Sequence, residues 1–170
     1  MLIRREYPDD VDAIRTVTTR AFDGMPYSSG SEAPLVDALR SDRGWIRALS
    51  LVAEVDGTVV GHVVCTRATI SGRPALGLGP LSVDPTWQRR GVGSALMHAV
   101  LGAADALGEP VVVLLGNPAY YHRFGFKPAS EYGIDPPVPQ WASSFQARAL
   151  TTYRADLRGS FAYAAPFQDA

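Results

Sequence analysis

Residues 88–96 are Gln88-Arg89-Arg90-Gly91-Val92-Gly93-Ser94-Ala95-Leu96, and this stretch decides the fold of the chain. It lies where a strand-like run gives way to an apolar periodicity typical of a helix. Glycines at such a junction let the backbone approach a ligand closely, and the first N–H groups of a helix have no partner inside the helix. The helix dipole adds partial positive charge there, so a pyrophosphate is the natural occupant. Arg89 and Arg90 contribute two local cationic side chains.

The segments on either side of this stretch predict a strand, a helix and a second strand. Ala75 to Val83 is strand-like, but Gly79 and Pro80 lie inside it. Because proline donates no ladder hydrogen bond and interior glycines often mark a bulge, we expect this strand to be distorted near its end. Apolar residues then follow one helical face as far as Gly108, and Val111 to Leu115 is an apolar run typical of a buried strand. This order predicts a parallel or mixed sheet.

The remaining chain predicts two helices, a hairpin and an irregular second half. Leu2 to Arg5 indicates a short strand followed by a helix, and Ser31 is placed to cap a second helix. Asp56-Gly57 between two strand-like runs predicts a hairpin with a type I′ turn. Residues 127–144 are rich in proline and polar residues and predict loop, whereas residues 145–167 predict a final strand or hairpin.

Length and composition predict one globular domain over residues 1–170. The chain is 46% hydrophobic and 19% charged, and its net charge of −1 gives no field for non-specific binding to nucleic acid or a membrane surface. The single cysteine, Cys65, excludes an internal disulfide, and the three histidines lack metal-ligand spacing, so we expect no metal. Because we find neither a signal-peptide pattern nor an apolar run of about 18 residues, we expect a soluble cytoplasmic protein.

Two well-known nucleotide-binding loops do not fit residues 88–96. A P-loop requires a lysine directly after its glycines, and none follows here. A dinucleotide-binding fingerprint would have Gly or Ala where Leu96 stands.

The pattern that fits is Gln/Arg-x-x-Gly-x-Gly/Ala, and with it the chain resembles the GNAT acetyltransferase superfamily. The elements follow one another in that family's order: the first strand and two helices, the Asp56-Gly57 hairpin, the strand end from Leu78 to Pro85, and then the motif. Tyr121-His122-Arg123-Phe124-Gly125-Phe126 resembles the family's tyrosine-bearing helix followed by Gly-Phe. Within the superfamily, Gly116 to Tyr121 and the tail from Phe161 to Phe167 resemble the YhbS-like subgroup.

The resemblance implies an α/β fold with a mixed, mostly antiparallel sheet of about seven strands and about four flanking helices. The sheet would splay between the strand ending at Val83 and the strand ending at Leu115. Acetyl-CoA, as co-substrate, would lie in that opening and give its acetyl group to a primary amine of a small molecule or peptide by direct attack. The protein could carry out this reaction as a homodimer. The alternatives are a non-catalytic acyl-CoA-binding regulatory domain and a structural domain without a cofactor.

The resemblance also implies roles for individual residues. Backbone groups of Leu81, Ser82 and Val83 would face the donor, and an N–H of Leu81 or Ser82 would stabilise the oxyanion. The pyrophosphate would be held by the backbone of Arg89, Arg90, Gly91, Val92, Gly93 and Ser94. Tyr121 would protonate the departing thiolate as general acid. Asn117 would either hydrogen-bond the pantetheine arm or cap the short helix that follows it.

The acceptor side of the reaction is less defined by the sequence. The general base stays open among water, Glu32, Asp84, His62 and Glu131. Two loops, residues 23–31 and 127–144, are the expected walls of the acceptor pocket. Their aromatic side chains are Tyr27, Tyr132 and Trp141.

Overall fold

A computed structural model describes residues 1–170 and contains nine strands and four α-helices. The strands are β1 (Leu2–Arg5), β2 (Trp45–Val55), β3 (Thr58–Ile70), β4 (Arg73–Val83), β5 (Val111–Leu115), β6 (Lys127–Pro128), β7 (Ile134–Asp135), β8 (Phe145–Ala149) and β9 (Gly159–Ala162). The helices are α1 (Val11–Phe22), α2 (Glu32–Arg40), α3 (Val92–Ala106) and α4 (Pro118–Tyr121). None of the helices is long and apolar enough to cross a membrane.

Seven strands form one continuous sheet in the order β1-β2-β3-β4-β5-β8-β6. Every neighbouring pair along this path is antiparallel except β4 and β5, which run parallel and are connected through α3. β9 pairs with the end of β3, and the two-residue β7 pairs with β9. The predicted mixed, mostly antiparallel α/β sheet is therefore confirmed. The prediction of loop over residues 127–144 misses β6 and β7, which are too short for a sequence pattern to show.

The two faces of the sheet carry separate parts of the core. Leu51 and Val52 are neighbours in β2 and point to opposite faces, as the strand period requires. Leu51 belongs to a large cluster that includes Leu96 and Val100 of α3. Val52 packs with Ile14 of α1 and with α2. The helix that precedes β5 thus covers one face, and the two N-terminal helices cover the other.

The ladder between β4 and β5 is very short. Only Leu76 pairs with Val112 and Gly77 with Val113, although β4 continues for six more residues to Val83. The β3–β4 ladder, in contrast, continues as far as Val83 but contains a register shift across Gly79-Pro80. This shift confirms the predicted distortion of β4, and the parting of β4 and β5 confirms the predicted splay.

Local turn and capping predictions have mixed outcomes. Asp56 and Gly57 both have positive φ, 49° and 79°, which confirms the type I′ hairpin. Ser31 directly precedes α2, but its side chain makes no capping hydrogen bond. That part of the prediction is wrong, because the Ser31 hydroxyl bonds the Ser29 hydroxyl in the preceding loop instead.

A buried polar network joins Glu6, the residue directly after β1, to β2, β3 and α2. His62 in β3 is fully buried, and its Nε2 lies 2.9 Å from the Ser50 hydroxyl and 3.6 Å from the Glu6 carboxylate. Arg40 of α2 donates to the same carboxylate over 2.8 Å. Burial opposes ionisation of Glu6, but hydrogen bonds from His62, Arg40 and Ser50 outweigh it and lower its pKa to about 2. Burial lowers the pKa of His62, so the imidazole is neutral at neutral pH.

We expect the free energy of unfolding to fall as the pH drops from about 7 to about 5. The unfolded chain binds a proton at His62 near its ordinary pKa of 6.5, before the folded protein can. One such proton gives a slope of up to about 1.4 kcal/mol per pH unit. The free energy of unfolding falls further between pH 4.5 and about pH 2, because the pKa of Glu6 is lowered in the folded state.

Urea unfolding over a pH series measures this dependence. His62→Gln should flatten the slope between about pH 7 and pH 5. His122→Gln, which removes an exposed histidine, should leave the slope as it is in the unaltered protein. An unchanged slope in His62→Gln would contradict the assignment of this pH dependence to His62.

Candidate active site

The free edge of β4 presents backbone groups to the opening between β4 and β5. Asp84 N–H donates to Val60 C=O over 2.9 Å, which directs Asp84 toward β3. Backbone groups alternate along an antiparallel ladder, so Ser82 also faces β3, whereas Leu81 and Val83 face the opening. Ser82, which was expected from the sequence to face the donor together with Leu81 and Val83, instead makes its backbone hydrogen bonds in the ladder to β3.

The connection from β4 to α3 bends sharply at two residues. Arg89 has φ of 62° and Gly91 has φ of 82°, and such a conformation is uncommon for a residue with a side chain. The side chain of Gln88 donates to Val83 C=O over 3.2 Å and fastens this connection to the end of β4. Geometry explains the spacing of Gln88 and Gly91: Gln88 anchors the turn, and Gly91 allows α3 to begin at the edge of the opening.

The N-terminus of α3 offers several unpaired N–H groups beside the opening. No backbone or side-chain acceptor in the protein receives a hydrogen bond from the N–H groups of residues 88–94. Arg89 and Arg90 are exposed and form no ion pair, although Arg90 stacks over Trp87 at 5.1 Å. These donors and charges can hold a phosphate-type anion.

Tyr120 and Tyr121 are adjacent in α4, and their side chains reach different parts of the site. The Tyr120 hydroxyl lies against α3, where a Cβ on Gly93 would be only 2.6 Å from it. The Tyr121 ring lies against the end of β5, where a Cβ on Gly116 would be 2.5 Å from it. Burial raises the pKa of Tyr121, and neighbouring Tyr120 and Tyr27 add to the shift. The Tyr121 phenol therefore keeps its proton at neutral pH and can act as a donor.

Asn117 acts as the cap of α4. Its Oδ1 accepts a hydrogen bond from Ala119 N–H over 3.0 Å, which is the capping alternative of the sequence analysis. The side-chain amide NH₂ makes no hydrogen bond inside the protein.

Three of the four candidate bases have identifiable surroundings. Asp84 pairs with Arg20 over 2.9 Å. Burial opposes its ionisation, but hydrogen bonds from Arg20 and Thr86 outweigh it and lower its pKa. His62 is enclosed in the network with Glu6 described above. Glu32 lines a cavity of about 460 Å³ between the ends of α1 and α2. Glu131 is exposed in the turn before β7.

The aromatic residues proposed as pocket walls occupy different positions. Tyr27 is 75% exposed and lies close enough to Tyr121 to affect its pKa. Tyr132 packs edge-on against Tyr153 at 5.3 Å, as part of the second core cluster. Trp141 is half-buried in a 3-10 turn. Of the two loops, residues 23–31 therefore carry the aromatic side chain that affects the pKa of Tyr121.

Fold and site together define an α/β protein that can hold an extended anionic ligand between two parting strands. The profile of the acetyltransferase (GNAT) domain family matches residues 47–128. YjhQ of Escherichia coli strain K12, an uncharacterized N-acetyltransferase, is 36% identical over 165 residues, covering 92% of this chain and 88% of YjhQ. The chain thus belongs to the GNAT acetyltransferase family.

Two solved structures of this family match nearly the whole chain. The GNAT family N-acetyltransferase YhbS of Escherichia coli, in complex with CoA, has a TM-score of 0.90 at 33% identity and covers 98% of this chain and 91% of its own. A GNAT family acetyltransferase from Brucella melitensis, in complex with acetyl-CoA, has a TM-score of 0.83 at 38% identity, with coverage of 98% and 97%. The likeness to the YhbS-like subgroup is confirmed.

The structure also brings to the site a residue that sequence reasoning missed. Tyr163 follows β9 and packs against Gly77, the last residue of β4 that pairs with β5. Nothing in the local sequence around Tyr163 signals this position. The contact depends on the path of the C-terminal segment across the sheet.

We expect Gly93→Ala to destabilise the protein and Gly102→Ala to stabilise it, although both glycines lie in α3. Alanine at 102 meets open space and should gain about 1 kcal/mol of helix propensity. Alanine at 93 would place its Cβ 2.6 Å from the Tyr120 hydroxyl, and overpacking of this kind costs about 1–3 kcal/mol. Urea unfolding of both variants measures the contrast.

A double-mutant cycle tests whether the Tyr120 hydroxyl causes the loss of stability in Gly93→Ala. Tyr120→Phe removes the hydroxyl and should restore most of the stability that Gly93→Ala loses. Strictly additive effects of the two substitutions would show that the Tyr120 hydroxyl is not the obstacle.

Proposed function

We propose that this protein transfers an acetyl group from acetyl-CoA to a primary amine of a small molecule or peptide, by direct attack of the amine on the thioester. Family membership and the acetyl-CoA and CoA complexes of the two structural relatives support this. The observation that carries the proposal is the free edge of β4 leading directly into the unpaired N–H groups of α3. An extended arm ending in a pyrophosphate matches that arrangement.

The donor would lie along β4 with its pyrophosphate at α3. The Leu81 C=O and the Val83 N–H would offer backbone hydrogen bonds to the pantetheine arm, in place of the missing β5 partner, since Gln88 already donates to the Val83 C=O. The amide NH₂ of Asn117 would reach the same arm from the other side of the opening. The backbone from Arg89 to Ser94 would hold the pyrophosphate, helped by the guanidinium groups of Arg89 and Arg90.

The reaction needs stabilisation of one oxygen and two proton transfers. The amine nitrogen attacks the carbonyl carbon, and Leu81 N–H donates to the oxyanion of the tetrahedral intermediate. The carbon–sulfur bond then breaks, and Tyr121 gives its phenolic proton to the CoA thiolate. The proton that the amine loses goes to water, and solvent returns a proton to Tyr121. The products are an acetamide and free CoA thiol.

The acceptor amine would approach through the loop of residues 23–31. Asp23 and Glu32 line its cavity together with Ser28 and Ser29, and neither carboxylate forms an ion pair. Such a lining suits an amine that arrives as an ammonium ion, which gives one proton to water before the free amine attacks. Tyr27 would separate this entrance from Tyr121.

Calorimetry with CoA and thiol release from acetyl-CoA over a panel of primary amines test the proposal together. The proposal predicts CoA binding and amine-dependent thiol release. CoA binding without thiol release on any amine would support the non-catalytic acyl-CoA-binding domain instead. The absence of CoA binding at saturating concentration would overturn both functions.

We expect Tyr121→Phe to lower kcat about 100-fold, the usual contribution of a positioned general acid. Affinity for CoA should change less than about twofold, since the ring that packs on Gly116 is retained. Steady-state thiol release and calorimetry measure the two quantities.

Tyr153→Phe is the matched control, because Tyr153 packs on Tyr132 and takes no part in the site. It should leave kcat unchanged. A kcat for Tyr121→Phe equal to that of Tyr153→Phe would remove Tyr121 from the mechanism.

A further inference from the structure

Three buried polar atoms on β3, β4 and α1 have no hydrogen-bond partner in the protein. They are His62 Nδ1, Ser82 Oγ and Thr18 Oγ1. His62 and Thr18 are 0% exposed and Ser82 is 1% exposed, so bulk solvent does not reach them. A fourth such atom, Thr66 Oγ1, lies four residues further along β3, about 13 Å away. Buried polar atoms are nearly always hydrogen-bonded, either within the protein or to an ordered water molecule.

His62 and Ser82 face each other across two neighbouring strands. They are direct partners in the antiparallel ladder between β3 and β4, so their side chains lie on the same face of the sheet. The Cβ atoms of such a pair are about 4.5–5.5 Å apart. His62 is also the ladder partner of Val52 in β2, and Val52 packs with Ile14 of α1. This β3–β4 pair therefore points toward α1.

The helix α1 crosses the sheet above the β3–β4 pair. Ile14 packs with Val52 of β2, and Arg20 forms an ion pair with Asp84, the residue directly after β4. Six residues of helix advance about 9 Å, which matches the two strand spacings of about 4.8 Å each between β2 and β4. Thr18 follows Ile14 by four residues on the same helical face and is fully buried. The Thr18 hydroxyl therefore lies over β3 and β4, beside the pair.

Hydrogen bonds on the other side of the imidazole determine which of its nitrogens carries the proton. Ser50 donates its hydroxyl proton to the Glu6 carboxylate, so Ser50 Oγ accepts from His62 Nε2 over 2.9 Å. In the neutral imidazole, Nδ1 is then an acceptor with a free lone pair. A water molecule can donate to Nδ1 and form one hydrogen bond with each hydroxyl, of Ser82 and of Thr18. A buried water molecule typically makes about three hydrogen bonds of this kind.

Ser82 connects these three atoms to the strand that would hold the donor. It lies between Leu81 and Val83, whose backbone groups face the opening between β4 and β5. The helix α1, which carries Thr18, leads into the loop of residues 23–31, the proposed entrance for the acceptor. A shared water molecule would therefore link the donor strand to the helix on the acceptor side.

We infer that His62, Ser82 and Thr18 bind one buried water molecule, and that this water fixes the free edge of β4 against α1. The water site follows from the placement of the three side chains. Its effect on catalysis rests on the proposed function, because the water would set the direction of Leu81 N–H toward the thioester oxygen. The three side chains are positioning residues, since they act through Leu81 and do not contact the donor.

A high-resolution crystal structure of the unaltered protein tests the water site. It should show a water oxygen within about 2.5–3.2 Å of His62 Nδ1, Ser82 Oγ and Thr18 Oγ1. Direct hydrogen bonds from the two hydroxyls to protein atoms, with no water between them, would overturn the inference.

Thr18→Val tests the effect on catalysis. Valine has a similar shape but cannot form a hydrogen bond, so the water loses one partner and the edge of β4 is less firmly held. We expect kcat for thiol release to fall about tenfold, less than the roughly 100-fold cost of removing an oxyanion donor altogether. The Kd of CoA should change less than about twofold, because the contacts of the pyrophosphate at α3 are retained. A purely structural role for Thr18 would lower the Tm and leave kcat of the folded protein unchanged.

Two further variants are the matched controls for Thr18→Val. Thr18→Ser keeps a hydroxyl group at the same position and should restore the kcat of the unaltered protein. Thr16→Val makes the same substitution at an exposed position of α1 and should leave kcat unchanged. If Thr18→Val does not fold, Ser82→Ala removes another of the three partners and should lower kcat in the same way.

The outcomes separate this inference from the proposed function. A protein that holds the water but releases no thiol with any amine would overturn the proposed function and the positioning role, while the water site would stand. A protein that releases thiol but has no water at the three atoms would overturn only the inference. Equal kcat values for Thr18→Val and Thr18→Ser would overturn the positioning role.

Discussion

The parallel ladder between β4 and β5 stops after the pair Gly77–Val113, and the chemistry of the site depends on this interruption. A buried sheet normally satisfies its backbone groups with the next strand. Here Leu81 and Val83 face a strand that has moved away, while α3 begins at the end of the same edge. The protein thereby offers an unpaired strand edge that leads directly to an unpaired helix N-terminus. A ligand with an extended polar arm and an anionic end can complete both.

Three parts of the structure keep the strands apart beyond that pair. The register shift across Gly79-Pro80 bends β4 relative to β3. The Tyr163 ring packs against Gly77, at the last pair of the ladder, and is held there by Phe161 and Phe167. On the outer side, β5 is fully paired with β8, so it retains a partner along one edge. Its last residue, Leu115, is 42% exposed, which is unusual for the end of an otherwise buried apolar strand.

The sequence predicts the local features well and the long-range ones poorly. The helix start at Gly91, the type I′ turn at Asp56-Gly57 and the distortion at Gly79-Pro80 follow from backbone preferences of a few adjacent residues, and the structure has them all. The network of Glu6 with His62 joins positions far apart in the chain, and no spacing rule connects them. Tyr163 escapes prediction for the same reason. The orientation of Ser82 needed the register with β3, which a strand pattern alone does not give.

A crystal structure with acetyl-CoA bound tests the central claim most directly. The account predicts the pyrophosphate within hydrogen-bond distance of N–H groups between residues 89 and 94, and the arm paired with Leu81 and Val83 along the free edge of β4. The thioester oxygen should accept a hydrogen bond from Leu81 N–H. A donor bound outside the β4–β5 opening, or a pyrophosphate away from the start of α3, would contradict it.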